Sequence, residues 1–390
     1  MNLIPYSKQF IDKSDKKFVL NALEGKLITQ GPILEKLEKN FCKKLKVKYC
    51  IAVTSATAGL HLCNSLFINK KVVCPSLTFA STISTILHTK NIPIFSDIDK
   101  QTLLLKLDNI NINFDVILNV LFGGSSANSI FLRKKYKKKI IIEDASHALG
   151  GKYDDGSPIG SCKYSDLTVF SLHPVKSITS GEGGIITTNN KIYYEKIKLL
   201  RNHGILRIKD VSKNNKFLSN SKDKNKKWYY EINQIGFNYR MNEIQAALAV
   251  SQFKKLSKFI RERKRLAKSY DKFFLKIKEL DLPQNLPNQR NNSAHHLYTI
   301  RCKSKKINRN ILQKKLRSKG IDTQVHYIPA HKLNAFKNLK KLNKLKNTEY
   351  HFSKCLSLPL YYGLKDKSQK KIIKIIKKIF QVDSICKIKT

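Results

Sequence analysis

Lys176 stands at a position where a lysine can act in chemistry. It follows the apolar run Leu167–Phe170 by a few residues and precedes the glycine-rich run Gly181–Gly184. A lysine held at the carboxyl edge of a buried strand is desolvated, which lowers its pKa and favours the free amine. A free amine can form a Schiff base with a carbonyl compound. On this pattern alone, an ordinary solvated lysine is an equally good interpretation.

Two further polar groups stand at predicted strand ends. Asp144 follows the apolar run Ile140–Ile142, and Ser55–Thr57 lies between a predicted strand and a predicted helix. A carboxylate at a sheet edge can keep a pyridine nitrogen protonated, and the N–H groups that begin a helix can bind phosphate. Both also have structural alternatives, because Asp caps turns and Ser caps helices.

An aromatic residue completes the set of candidate groups. Phe79 lies in Pro75–Phe79 (PSLTF), and its ring could stack on a flat cofactor, although a lone Phe is usually a core residue. A lysine, a carboxylate, a phosphate-binding turn and an aromatic ring together fit pyridoxal phosphate (PLP) better than another cofactor.

These groups need a scaffold that brings strand ends together. Short apolar runs alternate with helical patterns through the first half of the chain, which predicts an α/β fold with a mostly parallel sheet. Ligands bind such sheets at the carboxyl edge. The predicted strands are Tyr49–Thr54, Val72–Cys74, Ile92–Phe95, Val116–Val120, Ile140–Ile142, Leu167–Phe170 and Ile185–Thr187.

The C-terminal part predicts a smaller α+β domain. We place the large domain at residues 1–255 and the smaller one at 256–390. Ser14 and Asn242 are predicted to cap helices, Asn242 with Gln245 as its capping-box partner. The further elements are a linker (Pro283–Ser293), two strands (His296–Cys302 and Thr323–Tyr327), a helix (Arg309–Ser318) and a basic amphipathic tail helix (Gln369–Phe380). We expect the tail to pack on this domain, the alternative being an anionic membrane surface.

The composition is strongly basic. The 390 residues include 75 Lys and Arg against 28 Asp and Glu, a net charge of +47. A polyanion partner would explain this charge. The lysines are scattered along the chain beside abundant Asn and Ile, which favours compositional bias and predicts no specific nucleic acid.

The sequence predicts a reduced, cytoplasmic protein. No apolar run approaches the roughly 18 residues of a transmembrane helix, and the N-terminal residues lack the apolar run of a signal peptide. Eight cysteines form no CxxC pair. We therefore expect no membrane insertion. We also expect no metal site, because His326 and His331 lack an evident third ligand.

Nine stretches in order resemble the DegT/DnrJ/EryC1/StrS family of sugar-nucleotide aminotransferases, which have the PLP-dependent fold type I of aspartate aminotransferase. They are LITQGP (27–32), TSATAGLH (54–61), PSLTFAST (75–82), EDASHALGGKY (143–153), FSLHPVKSITSGEGG (170–184), LLRNHGI (199–205), GFNYRMNEIQAAL (236–248), GIDTQVHYIP (320–329) and LSLPLYYGL (356–364). GSCKYSD (160–166) and WYYE (228–231) resemble most the branch of pseudaminic acid biosynthesis.

The resemblance implies roles for matching residues. Lys176 would carry PLP and move the proton during transamination, and Asp144 would pair with the pyridine nitrogen. Phe79 would stack on the ring. The phosphate would be held by Ala56, Thr57 and Ser171.

Four further positions receive roles from the resemblance. His147 stands where many family members have Gln, near the 3-hydroxyl of the ring. Asn238 would reach the cofactor phosphate of a neighbouring subunit, which implies a homodimer with shared active sites. His326 and Tyr327 would lie on the substrate side.

The implied reaction is a PLP-dependent transamination with L-glutamate as amino donor and pyridoxamine phosphate as intermediate. The acceptor would be a UDP-linked 4-keto-6-deoxy-N-acetylhexosamine. Val120–Ser126 (VLFGGSS) departs from the usual family run, so another nucleotide-linked keto sugar is the nearest alternative. A non-catalytic regulatory or polyanion-binding relative is the other, supported only by the charge. Family dehydratases carry His in place of the lysine, and Lys176 argues against that activity.

Overall fold

A computed structural model of the protein describes residues 3–107, 112–207 and 226–385, with side chains up to residue 381. Seven of the eight cysteines lie in these ranges and are free thiols, and Cys386 lies outside them. No helix in the described ranges is both long enough and apolar enough to cross a membrane.

A seven-stranded sheet forms the centre of the large α/β part. Its strands are β1 (Tyr49–Val53), β2 (Lys71–Pro75), β3 (Ile92–Ser96), β4 (Val116–Val120), β5 (Ile140–Asp144), β6 (Leu167–Ser171) and β7 (Gly184–Thr188). The order is β1-β7-β6-β5-β4-β2-β3, in which β7 runs antiparallel to β1 and β6 and the other pairs are parallel. Six strands therefore end at one edge of the sheet, where β7 begins. The predicted mostly parallel sheet is confirmed.

The strands of this sheet are almost entirely buried, because helices of the large part pack around them. These helices are α1 (Lys13–Leu23), α2 (Pro32–Leu45), α3 (Ala56–Asn64), α4 (Ala80–His88), α5 (Ser129–Lys135), α6 (Lys191–Arg201) and α7 (Glu243–Phe274). The capping box of α7 is confirmed: Gln245 N–H donates to Asn242 Oδ1 at 2.8 Å and Asn242 N–H to Gln245 Oε1 at 3.3 Å. The predicted Ser14 cap is wrong, since the carboxylate of Asp12 caps α1 by accepting from the N–H groups of Ser14 and Asp15.

Short elements follow the main sheet. A small hairpin pairs β8 (Ile205–Leu206) with β9 (Glu231–Ile232), and a three-stranded antiparallel sheet lies near the C-terminus. The strands of this sheet are β10 (Leu280–Asp281), β11 (Tyr298–Cys302) and β12 (Cys355–Leu358). The helices of the C-terminal part are α8 (Pro287–Asn292), α9 (Arg309–Ser318), α10 (Lys346–Lys354) and α11 (Asp366–Ile385). Short 3-10 turns lie at Phe122–Gly124 and Ala330–Lys332.

Two predictions for this part are corrected. Thr323–Tyr327 is not a strand, because only one isolated bridge, Gln324 to Ser357, pairs it with β12. The expected linker Pro283–Ser293 contains α8 and is fixed to the main sheet's loops. Gln284 Nε2 donates there to the carbonyl oxygens of Thr102 and Phe122.

The long helix α7 joins the two hydrophobic cores. Its first half buries Leu256 and Phe259 with helices and strands of the large sheet, and its second half buries Leu266 and Tyr270 with the C-terminal sheet. The helix crosses the predicted boundary at residue 255, and the division into two domains stays a prediction. In α11, Ile372, Ile373, Ile376 and Phe380 are buried in the second core, which confirms the expected packing of the tail.

Candidate active site

The carboxyl edge of the large sheet brings together three of the predicted positions: Asp144, Ser171 and the turn that follows β1. Gly184, the first residue of β7, pairs with Val53 of β1 on one side and with Ser171 of β6 on the other. Asp144 ends β5 and pairs with Val169 of β6. The turn that follows β1, the end of β6 and the end of β5 therefore lie side by side.

The turn after β1 is built to receive an anion. Ser55 caps α3, with its Oγ accepting the N–H of Ala58 at 3.1 Å, and the helix starts at Ala56. The first N–H groups of a helix have no acceptor within the helix and carry its positive dipole end. A Cβ at position 184 would clash with Ser55 O and approach Ala56 N to 2.7 Å, so this cradle requires glycine. Its residues fit a bound phosphate.

Asp144 is buried and tightly held. Its Oδ2 accepts from Thr82 Oγ1 at 2.9 Å, and its Oδ1 accepts from Ser146 Oγ at 2.6 Å and from Ser146 N–H at 3.2 Å. Neutral donors stabilise a carboxylate without cancelling its charge, so the charge is available to a cationic ring nitrogen. Thr82 and Ser146 were not predicted as site residues, although both lie within family-like stretches and carry hydroxyls.

Lys176 lies in a turn beyond β6, where its N–H donates to the carbonyl of His173 at 2.9 Å. The pKa of the ammonium group is lowered to about 8, mainly by burial; the charge of Asp144 opposes this shift, and the charge of Arg263 adds a smaller lowering effect. Desolvation therefore dominates, as the sequence suggested. A lysine with this pKa supplies free amine near neutral pH, which suits it to a carbonyl cofactor.

A ring cluster closes another side of the site. His147 is buried; its Nδ1 accepts the N–H of Gly123 at 3.3 Å, and its Nε2 contacts Tyr327 Oη at 3.0 Å. The rings of Tyr327 and Phe79 lie 5.8 Å apart, and Phe79 is 59% exposed. Burial, with help from the charges of Lys176 and His326, holds the pKa of His147 well below its usual range.

The remaining predicted residues lie around this centre. His326 is buried and contacts Tyr6 Oη at 3.1 Å and Ser357 Oγ at 2.9 Å, and burial lowers its pKa to about 3. Asn238 is exposed and forms a backbone bridge to Asn202.

The second histidine of the His-x4-His pair has partners of its own. His331 contacts Ser76 Oγ at 2.6 Å and Glu349 Oε1 at 2.7 Å. Across residues 3–107, 112–207 and 226–385, no group of three or more His, Cys, Asp or Glu side chains could hold a metal ion.

Known proteins resemble this chain over nearly its full length. Residues 9–377 match the DegT/DnrJ/EryC1/StrS aminotransferase family. The UDP-4-amino-4,6-dideoxy-N-acetyl-beta-L-altrosamine transaminase of Campylobacter jejuni is 33% identical, covering 94% of this chain and 95% of that protein.

Solved structures give the same result. PseC of Helicobacter pylori, an aminotransferase involved in the biosynthesis of pseudoaminic acid, superposes with a TM-score of 0.87 at 30% identity, over 98% of this chain and 100% of that one. The sugar aminotransferase Spr1654 of Streptococcus pneumoniae, in its PLP form, gives 0.83 at 25% identity, covering 97% and 99%. These likenesses confirm the predicted aminotransferase-like α/β fold, and the chain belongs to the DegT/DnrJ/EryC1/StrS aminotransferase family.

Proposed function

We propose that this aminotransferase uses PLP and L-glutamate to aminate a UDP-linked 4-keto-6-deoxy-N-acetylhexosamine. The product would be the 4-amino sugar nucleotide of a pseudaminic-acid-type pathway. The main support for this proposal is that Lys176, Asp144 and the cradle at Gly184 lie at the same edge of the sheet. The sugar is supported by the 33% identical relative, which is named as the corresponding transaminase.

Different residues would hold different parts of the cofactor. PLP, when bound, supplies a carbonyl that accepts the amino group and a ring that withdraws electrons from the substrate carbon. Ala56, Thr57 and Ser171 bind its phosphate, and Asp144 keeps its ring nitrogen protonated. The exposed ring of Phe79 covers one of its faces.

Lys176 moves the protons. With a pKa of about 8, its Nζ accepts the proton from Cα of L-glutamate in the first half-reaction. In the second half-reaction it delivers a proton to C4 of the sugar. The buried carboxylate of Asp144, held by Thr82 and Ser146, keeps its charge in place throughout.

An absorbance spectrum before and after addition of L-glutamate tests this function. We expect the yellow band of PLP bound to Lys176 to bleach and a UDP-linked 4-keto-6-deoxy sugar to restore it, and Lys176→Ala to lack the original band. Restoration only by another nucleotide-linked keto sugar would support the alternative substrate suggested by Val120–Ser126. A protein that binds no PLP would contradict the proposal.

We also propose a cytoplasmic homodimer with shared active sites. Asn238 is exposed on the segment that bridges to Asn202, and Trp228, Ile232 and Ile235 are exposed apolar residues close by in sequence. A neighbouring subunit would cover them and receive Asn238 at its cofactor phosphate.

Subunit complementation tests the shared sites. Lys176→Ala and Asn238→Ala are each expected to be inactive alone, whereas an equal mixture forms hybrid dimers with one intact site. The mixture should recover about a quarter of wild-type activity, since half of the dimers are hybrids. No recovery after subunit exchange would contradict shared sites.

A further inference from the structure

The hydrogen bonds of His147 fix which of its nitrogens carries the proton. A backbone N–H can only donate, so the contact from Gly123 makes Nδ1 an acceptor. His147 is neutral, because burial holds its pKa well below the usual range. Its single ring proton therefore sits on Nε2, and Nε2–H donates to Tyr327 Oη at 3.0 Å.

The donor N–H of Gly123 is itself firmly placed. Gly123 has φ +68°, and its carbonyl accepts the N–H of His296 at 3.1 Å. A Cβ at this position would clash with the side chain of Gln284. The glycine turn after β4 therefore holds the Nε2–H form of His147 in place.

The hydroxyl of Tyr327 therefore accepts a hydrogen bond from His147, and its own proton is still available to donate a second hydrogen bond. Among the residues that the structure describes, no acceptor for that proton is found. Burial raises the pKa of Tyr327, as do the charges of Tyr6 and Asp144, so the hydroxyl stays protonated.

We propose that Tyr327 donates a hydrogen bond to the phenolic oxygen of bound PLP, and that His147 is a positioning residue that acts through Tyr327. This inference rests on the proposed use of PLP. Both ring nitrogens of His147 are already engaged, by Gly123 and Tyr327. The direct donor to the cofactor oxygen is thus the half-buried tyrosine beside Phe79.

The pH dependence of the cofactor's absorbance tests the inference without turnover. A donor to the phenolic oxygen stabilises its negative charge and makes the neighbouring nitrogen, which Lys176 supplies, less basic. In Tyr327→Phe, loaded with PLP and free of substrate, we expect the absorbance midpoint to rise by about one to two pH units.

His147→Phe and the double variant separate positioning from direct contact. His147→Phe should raise the midpoint by less than Tyr327→Phe does, because the tyrosine keeps its proton and loses only its orientation. Adding His147→Phe to Tyr327→Phe should change nothing further. Tyr6→Phe is the matched control, because its hydroxyl contacts His326 and not His147, and should leave the midpoint unchanged.

The outcomes distinguish this inference from the proposed function. An unchanged midpoint in Tyr327→Phe that carries a full complement of PLP would overturn it, as would additive shifts in the double variant. A defect confined to the keto-sugar half-reaction would also overturn it and assign Tyr327 to the substrate. If Tyr327→Phe does not fold, an unshifted midpoint in His147→Phe overturns it instead. A wild-type protein that binds no PLP would refute the proposed function and, with it, this inference.

Discussion

Ser171 and Gly184 face each other across the β6–β7 pair, as the last residue of one strand and the first residue of the next. Gly184 also pairs with Val53, so the hydroxyl of Ser171 and the start of α3 lie on either side of a residue without a side chain. The anion cradle depends on this gap, because the backbone of Ser55 and Ala56 fills the space that a Cβ would need.

Gly184→Ala should weaken cofactor binding in addition to destabilising the fold. The added methyl group would displace Ser55 and Ala56, at a cost of about 1–3 kcal/mol in stability. We expect the PLP dissociation constant to rise at least about tenfold, which corresponds to 1.4 kcal/mol. Absorbance titration and urea unfolding measure the two effects.

Gly156→Ala is the matched control for this substitution. Gly156, unlike Gly184, has a positive φ of 80°, and its Cβ would meet nothing within 4 Å. It should lose roughly 1 kcal/mol of stability from backbone strain and bind PLP normally. Equal losses of PLP affinity in both variants would contradict the role of the cradle.

The rate of PLP loading should follow the ionisation of Lys176. Only the free amine attacks a carbonyl, so the loading rate of apo-protein should rise with pH to a midpoint near the pKa of about 8 and then level off. The charge of Asp144 raises this pKa, so Asp144→Asn should move the midpoint lower. Stopped-flow absorbance measures both curves. A midpoint near 10.5, the value of an ordinary lysine, would contradict the desolvated site.

Phe79→Ala should separate cofactor binding from stability. The side chain is 59% exposed, so its removal should change the free energy of unfolding by no more than about 0.5 kcal/mol. Ring stacking contributes about 0.5–1.5 kcal/mol, so we expect PLP affinity to fall roughly three- to tenfold. Ile68→Ala, at a residue that is 58% exposed in the loop after α3, serves as control. Unchanged affinity in Phe79→Ala would argue against stacking.

Buried histidines should make the protein sensitive to acid. Burial lowers the pKa of His295, His326 and His351 to about 3, below the ordinary 6.5. Between pH 3 and 6.5 these histidines are protonated in the unfolded chain but not in the folded chain, so stability is lost as pH falls from 6.5 towards 3. Each such group contributes a slope of about 1.4 kcal/mol per pH unit.

Replacing one of these histidines tests the slope. His351 is fully buried beside Phe122, so His351→Phe should flatten the pH dependence of urea unfolding by about one proton. Ile68→Ala, which removes no ionisable group, should leave the slope unchanged. An identical slope in His351→Phe and wild type would refute the titration of this residue.

Local patterns in the sequence were enough to locate most of the scaffold. The seven buried runs became the seven strands of the large sheet because each is short, apolar and bounded by polar residues. Asn242 and Gln245 identified the start of α7, since a capping box uses neighbours in the chain. Asp144 and Lys176 could be singled out because each follows a strand, and strand ends share an edge in this fold.

Weaker local signals misled where tertiary contacts decide. Thr323–Tyr327 has the alternation of a strand, but it forms only one bridge to β12. Pro283–Ser293 has the composition of a linker, yet Pro287 starts a helical turn and Gln284 fastens the segment to Phe122.

The sequence by itself determined the strands and the family, because burial period, capping and motif order are properties of neighbouring residues. Only the tertiary structure decided how distant groups pair. His147 and Tyr327 are 180 positions apart, and Gly184 reaches Ser55 across a strand pair. Such contacts depend on how helices and sheets pack, and packing joins residues that no local pattern relates.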